Sequence, residues 1–277
     1  MSKPLKIMFL FVFSAIAFGF ISRQDETQTN SEDNTYVEMV TNYGTMVFEL
    51  YNETPLHRDN FVKLVNDKAY DGLLFHRVIE NFMIQGGDPD SKDAKSGEIL
   101  GEGDLDYSVE AEFRPNLFHK KGALSTAREE TLGRVSSAMQ FFVVHGKVYS
   151  DSLLDAAESR INRMLARHYV LNLPEHESLW KRFKRAADDE NEKQYNILND
   201  SINAMAASFS DFEKYRIPQS HRDIYKTLGG TPHLDQNYTV FGKVIKGLEV
   251  VDSIAKAKTD QWDRPLLDVR IISVSIK

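Results

Sequence analysis

Residues Phe75 to Asp88 read FHRVIENFMIQGGD, and this stretch narrows the chemistry more than any other part of the chain. It sets an arginine, Arg77, near two large apolar residues, Phe82 and Met83, and a glutamine, Gln85. Met83 and Gln85 are two apart, so on a strand their side chains share one face. Gly86-Gly87 then marks a turn. No acid pair, serine elbow, metal cluster or phosphate loop accompanies the group. Such a set suits a reaction that needs an apolar seat and hydrogen-bond donors rather than a nucleophile or a proton shuttle.

Working outward, further blocks follow in order: KGALSTA (Lys121–Ala127), QFFV (Gln140–Val143) and HLDQNYTVFGKV (His233–Val244). Upstream lies GTMVFELYNETPLHRDNFVKL (Gly44–Leu64). Its Tyr43-Gly44 pair sits between two partly alternating runs, as in a hairpin. Thr54-Pro55 reads as an N-cap followed by proline at the first helical position, and Phe61, Leu64 and Val65 form that helix's apolar stripe. Strands are expected within Val135–Val144, Thr239–Ile245 and Val269–Ile276, and a short helix at Leu248–Ala255. Short strands with two flanking helices suggest a closed β-barrel.

Taken together and in order, these blocks resemble the cyclophilin-type peptidyl-prolyl cis–trans isomerases, of a bacterial-like kind. The resemblance implies a mainly β fold: a closed eight-stranded antiparallel barrel with two flanking helices. It also implies roles. Arg77 and Gln85 would be catalytic; Phe82, Met83, Ala127, Gln140, Phe142, His233, Leu234 and Tyr238 would bind substrate. Gln140 and Phe142 would face the pocket while Phe141 faces the core. Backbone at Ala127 would pair with an extended substrate, and Gln85 and Gln140 would hold that substrate and support Arg77.

These residue types fit the reaction. Rotation about an X–Pro bond faces a barrier of roughly 18–20 kcal/mol from amide resonance. In the twisted transition state the nitrogen regains a lone pair, so a donor aimed there counts for more than in the planar ground state. Arginine is always charged and its fork is rigid.

One region departs from the pattern. Between Gly146 and Gly229 the family normally uses a short loop; here Leu154, Ala157, Ile161, Leu165 and His168, then Leu179, Trp180, Phe183 and Ala187, then Tyr195, Leu198, Ile202, Met205 and Phe209 recur at helical spacing. Ser220-x-x-Asp223 reads as a capping box with Gly229 as the stop. This stretch carries 13 basic and 13 acidic residues, so the rest of the chain, 21 against 28, holds the whole net charge of −7. It reads as an inserted α-helical bundle. Its Trp180–Arg185 run could contact a client, or could be a solvated face with Trp180 and Phe183 turned inward.

The acidic balance argues against a nucleic-acid partner. With no cysteine, disulfides, thiolate catalysis and zinc–thiolate sites are excluded, and the eight histidines show no metal-ligand spacing. No metal and no cofactor is expected. Lys3 and Lys6 precede an apolar run, Ile7–Ile21, which reads as a secretory signal or an uncleaved anchor. The expected division is a signal peptide or anchor at 1–21, a flexible leader at 22–35, a cyclophilin-like domain at 36–277, and a helical insertion within it at 147–228. An exported, periplasmic or cell-envelope enzyme acting on proline-containing peptides and on unfolded or folding proteins is the first reading, with membrane contact only through the N-terminus. A binding module or chaperone whose inserted helices hold a partner or client is the second. His233 stands where the family often has tryptophan, and Tyr238 where it often has histidine. Losing the tryptophan removes a large apolar contact, so cyclosporin should bind weakly. Inhibition should strengthen in His233→Trp, as a dose–response comparison with the wild type would show.

Overall fold

The fold begins with a hairpin whose two-residue turn, Asn42-Tyr43, is set by Gly44 at φ +135°. It joins β1 (Thr35–Thr41) to β2 (Gly44–Leu50). The computed structural model describes residues 34–277, and the expected signal or anchor at 1–21 and most of the leader lie outside the described residues. After β2 comes α1 (Pro55–Asn66), then β3 (Arg77–Ile79) and β4 (Met83–Gly86). Thr54 occupies the N-cap of α1, but its hydroxyl turns back to the Tyr51 carbonyl instead of capping the helix. Two short strands, β5 (Ser108–Val109) and β7 (Ser136–Ser137), pair apart from the main sheet. Between and after them run β6 (Ala123–Thr126) and β8 (Phe141–Val144).

The main sheet has eight strands in the order β10-β1-β2-β9-β6-β8-β4-β3, counting β9 (Val240–Lys246) and β10 (Ile271–Ile276), and every pair in it is antiparallel. The expected closed barrel is corrected here: the strand ladder is open between β3 and β10. Contacts outside the ladder span the gap: a Leu74–Arg270 bridge, bonds from Phe75 N–H to the Val269 carbonyl and Ile271 N–H to the Leu73 carbonyl, each 2.8 Å, and side-chain bonds from the Arg270 guanidinium to the Gly72 carbonyl and from Val274 N–H to the Asp71 carboxylate. Beyond it, Val78 N–H bonds the Asp263 carbonyl at 2.8 Å, so a loop rather than a strand covers that edge. Pro265 lies in this loop, and proline cannot donate to a ladder.

One core fills the sheet's concave side. Helix α1 contributes Phe61, Leu64 and Val65, and α6 (Leu248–Ala255) contributes Val250, Val251 and Ile254. Phe141 sits at the centre, met edge-on by Phe61, Tyr70 and Phe75 at ring distances of 5.5–5.9 Å. In β10 the buried residues are Ile271 and Val274, three apart, because the register with β1 slips between Val40 and Thr41. Ile272 is thereby turned outward.

Between β8 and β9 lie four helices: α2 (Asp151–Leu171), α3 (Glu177–Asp188), α4 (Glu192–Ser208) and α5 (Gln219–Thr227). Helix α2 is capped by the Ser150 hydroxyl, and its stripe Leu154, Ala157, Ile161, Leu165 packs with Ile217, Tyr225 and Phe118. Phe183 and Ala186 of α3 meet Leu198 and Ile202 of α4 in a second cluster, with Trp180 partly buried beside it. The expected capping box is not formed. Helix α5 starts after Pro218, and Asp223 instead accepts a bond from the Gln219 amide at 2.7 Å. Gly229 does end it, at φ +88°.

The helical segment is rooted at two points. Gly146 and Gly230 pass so close that a side-chain carbon on Gly146 would strike the Gly230 backbone, and Lys147 bridges to Gly230. Below them, the buried carboxylate of Asp235 accepts the His119 N–H (3.0 Å), His119 Nδ1 (2.8 Å) and the Tyr225 hydroxyl (2.8 Å). His119 belongs to the sheet side and Tyr225 to α5. Tyr225→Phe should therefore lower stability by about 1–3 kcal/mol. Asp235→Ala, which strips a buried network of its acceptor, should lower it by about 3–5 kcal/mol. Urea denaturation of the two variants measures both.

Candidate functional site

Strand register assembles the site. Arg77 on β3 faces Gln85 on β4, which faces Phe142 on β8, so three residues distant in sequence form one row across the sheet. Met83 stands two residues from Gln85 on the same face, while Ile84, Phe141 and Val143 point into the core. Phe82 lies in the turn before β4, its carbonyl held by the N–H groups of His145 (3.1 Å) and Gly146 (3.0 Å). The short helical turn Pro232–Leu234 brings in Leu234, and Tyr238 follows, meeting Phe142 nearly edge-on at 6.1 Å.

Arg77, Phe82, Met83, Gln85, Ala127, Phe142, Leu234 and Tyr238 thus surround one cavity of about 170 Å³. Apolar protein cavities near 150 Å³ accept a benzene-sized ring, so a pyrrolidine ring fits this volume. Met83, Phe142 and Leu234 are nearly fully buried and make an apolar floor.

A chain of amides leads to the arginine. Gln140 donates through Nε2 to the carbonyls of Gly101 (2.8 Å) and Gly103 (2.7 Å). Its Oε1 accepts Gln85 Nε2 at 2.9 Å, and Gln85 Oε1 in turn stands 3.5 Å from Arg77 Nη1. Both protons of the Gln140 amide are thereby used, and its oxygen fixes Gln85. Asp263, which the sequence reading did not single out, places Oδ2 3.6 Å from Arg77 Nε. The Arg77 side chain is still 43% exposed, so its fork remains reachable from the cavity.

Two expectations shift. Ala127 N–H donates to the Gln140 carbonyl and its own carbonyl accepts Ser137 N–H, each at 2.9 Å, so its N–H is taken. Its neighbour Arg128 lines the same cavity, and among the described residues its backbone N–H and C=O have no partner. The edge open to an extended substrate is thus one residue further on. Arg128 also stacks its guanidinium over Tyr238 at 4.9 Å and donates Nε to the Asn237 carbonyl at 2.6 Å. Its adjacency to Ala127 was the only sequence signal; Asp263 gave none. His233 does not line the cavity but stacks on Phe82, rings 5.6 Å apart and 24° from parallel. Burial first, then nearby Arg160, His119 and Lys147, lowers its pKa to about 4, so it is a neutral plate behind the phenyl ring.

Beyond Gln85 and Gln140 the cavity opens into a second one of about 490 Å³ whose rim carries Glu102, Asp104, Asp106 and Glu129. Among the described residues no cluster of histidine and acidic side chains could hold a metal ion.

Comparison with known proteins bears on this geometry. The family model described as "Cyclophilin type peptidyl-prolyl cis-trans isomerase/CLD" matches residues 36–164 and 180–276. A Staphylococcus aureus protein named "Putative peptidyl-prolyl cis-trans isomerase" is 32% identical over 242 residues, covering 87% of this chain and 91% of that one. A like-named protein of Staphylococcus haemolyticus is 31% identical over 242 residues, covering 87% and 90%. Among solved structures, a cyclophilin-type isomerase of Cryptosporidium parvum superposes with a TM-score of 0.50 at 20% identity, covering 88% of this chain and 98% of that one, which is a likeness of fold.

Burial makes three histidines resist protonation. His76, His168 and His233 have pKa values lowered to about 4, with burial the leading cause in each. In the unfolded chain they titrate near 6.5. The unfolded state therefore takes up protons first as pH falls. Stability should be full above about pH 6.5 and decline steadily towards pH 4. Thermal melting at pH 7.5, 6 and 5 checks this, with a Tm drop of about 2–4 °C for each 1 kcal/mol lost.

Proposed function

Because the chain belongs to the cyclophilin-type peptidyl-prolyl cis–trans isomerase family, we propose that it turns X–Pro bonds in the cavity beside Arg77, and that its substrates are exported proteins still folding. The observation that carries the reading is the single row Arg77–Gln85–Phe142 beside a ring-sized apolar cavity.

In this reading the proline ring sits on Met83, Phe142 and Leu234, walled by Phe82 and Tyr238. The floor holds the ring still while the preceding peptide group rotates. Arg77 directs its fork at the amide nitrogen as that atom becomes pyramidal. Its donor then meets a lone pair that the planar amide lacks, so the interaction is stronger in the transition state than in the ground state. Gln140 and Gln85 hold Arg77 from one side and Asp263 from the other, so little reorganisation is needed during the turn. The free backbone edge of Arg128 pairs with the extended peptide. No proton is transferred and no covalent bond forms.

Export is supported by Lys3 and Lys6 ahead of the apolar run Ile7–Ile21. Recovery of the chain outside the cytosol of an expressing cell, in the periplasmic or cell-envelope fraction and with a shortened N-terminus by mass spectrometry, is the expected result. A full-length chain retained in the cytosol would defeat this part. A second reading, a client-holding module, is favoured by how closely the helices approach the cavity: Tyr225 of α5 and the pocket-side His119 share the Asp235 carboxylate. Replacing 147–228 with a short linker should leave turnover of small peptides and reduce the refolding of a protein substrate; an equal fall in both excludes a client arm.

The central test is a protease-coupled proline-peptide assay. Arg77→Ala should lower kcat/KM by about 10²–10³, the usual cost of one preorganised donor. Asp263→Asn should lower it by roughly threefold to tenfold through looser placement of the fork. Wild-type protein without activity, or an Arg77→Ala variant with full activity, would refute the assignment.

A further inference from the structure

Helix α2 presents two unlike polar faces. On one, Asp151 and Asp155 are neutralised by Arg222 and Lys226 of α5 at 2.8–3.4 Å. On the other, Arg160, Arg163 and Arg167 recur at three- and four-residue steps and share a side of the helix. Like charges so spaced repel by a few tenths of a kcal/mol each, a local cost that the sequence retains. Only Arg167 has a carboxylate partner, Glu130, which it grips with both arms at 2.5 and 3.0 Å. Arg160 and Arg163 are exposed and, among the described residues, have no carboxylate within ion-pair distance.

These arginines line an open groove of about 490 Å³ between α2 and α4, floored by Ala206 and Ala207. Met164 and Arg167 also line a cavity of about 200 Å³ that runs on to Arg128, Arg134 and Tyr238. Arg128 and Tyr238 are walls of the proline cavity itself. The proline seat, this cavity and the α2 groove therefore adjoin in series, with Arg128 and Tyr238 and then Met164 and Arg167 as their common walls. Along this series stand five arginines, Arg128, Arg134, Arg160, Arg163 and Arg167, against one carboxylate, Glu130. The opposite exit, past Gln85 and Gln140, carries Glu102, Asp104, Asp106 and Glu129. The substrate groove is electrically polarised from end to end, in a chain whose net charge is −7.

Resting on the isomerase reading above, we infer that the arginine face of α2 is an extended subsite which receives an acidic stretch of the substrate on one flank of the proline. Charge complementarity selects Asp- or Glu-rich chain, and continuity with the proline seat selects a peptide over a free anion. Such exposed charge pairs act over short distances and weaken as salt rises.

The test uses the full chain and three peptides: a neutral proline peptide, and the same peptide with three glutamates added on the N-terminal or on the C-terminal flank. Both kcat/KM and Kd are measured at low and high ionic strength. One acid-tailed peptide, and not the other, should exceed the neutral one by roughly threefold to tenfold at low salt, with the gain lost at high salt. In the double variant Arg160→Glu/Arg163→Glu the acid-to-neutral ratio should fall to one or below, and in Arg160→Gln/Arg163→Gln it should be intermediate. No gain on either flank, an equal gain on both, or a ratio unmoved by the double variant overturns the inference. So does binding of anionic vesicles or single-stranded RNA through the same arginines without any acidic-peptide preference. If the neutral peptide is not turned over at all, the isomerase reading fails, and the Kd ratios still decide this one.

Discussion

A carboxylate that water scarcely reaches, that of Asp235, holds the two halves of this molecule in register. Taking a charge out of water costs several kcal/mol unless its oxygens are fully engaged. Here they are: His119 supplies two donors and Tyr225 a third. The same imidazole stacks face-on with Phe142 at 6.0 Å and reaches Ser125, whose hydroxyl binds the Thr239 carbonyl. One buried charge thus fixes the floor of the proline seat from beneath and anchors α5 from above. Leu234 and Tyr238, on either side of Asp235 in sequence, owe their positions to it.

What Arg77 needs is placement, because the reaction proposed for it involves no proton transfer and no bond making. The sheet provides that economically. Each residue of the row is set by backbone pairing, and the amide chain from Gly101 and Gly103 through Gln140 and Gln85 ends on the guanidinium. The amides donate in one direction only, so reversing Gln85 would place two donors, Gln85 Nε2 and Arg77, against each other. Tight coupling of this kind places specificity elsewhere, in the loops and helices around the seat.

Much of this was readable from sequence, and the reasons are physical. Alternation in Gln140-Phe141-Phe142 sorts pocket from core because a pleated strand has no other choice. Helical spacing of Leu154, Ala157, Ile161 and Leu165 corresponds to the buried stripe of α2. Features carried by backbone or by distant contact were not readable. Arg128 matters through an unpaired peptide group, which no side-chain pattern reveals. Asp263 reaches Arg77 from a loop near the far end of the chain. The open β3–β10 edge depends on where a proline-bearing loop settles. His233 has the right neighbours in sequence but rotates behind Phe82, because the Pro232–Leu234 turn aims Leu234, not His233, at the cavity.

Gly146 and Gly230 bring the start and finish of the helical segment within one backbone's width of each other. For the sheet, the whole excursion is equivalent to a tight turn: it imposes the same end-to-end distance whatever its length. Loop-closure entropy grows only slowly with the number of residues enclosed. The stem therefore behaves as a socket. Helical segments of other sizes and charges could be exchanged there provided each returns a donor to Asp235 in place of the Tyr225 hydroxyl, and a family built on this sheet could change what it grips without changing how it turns a peptide bond.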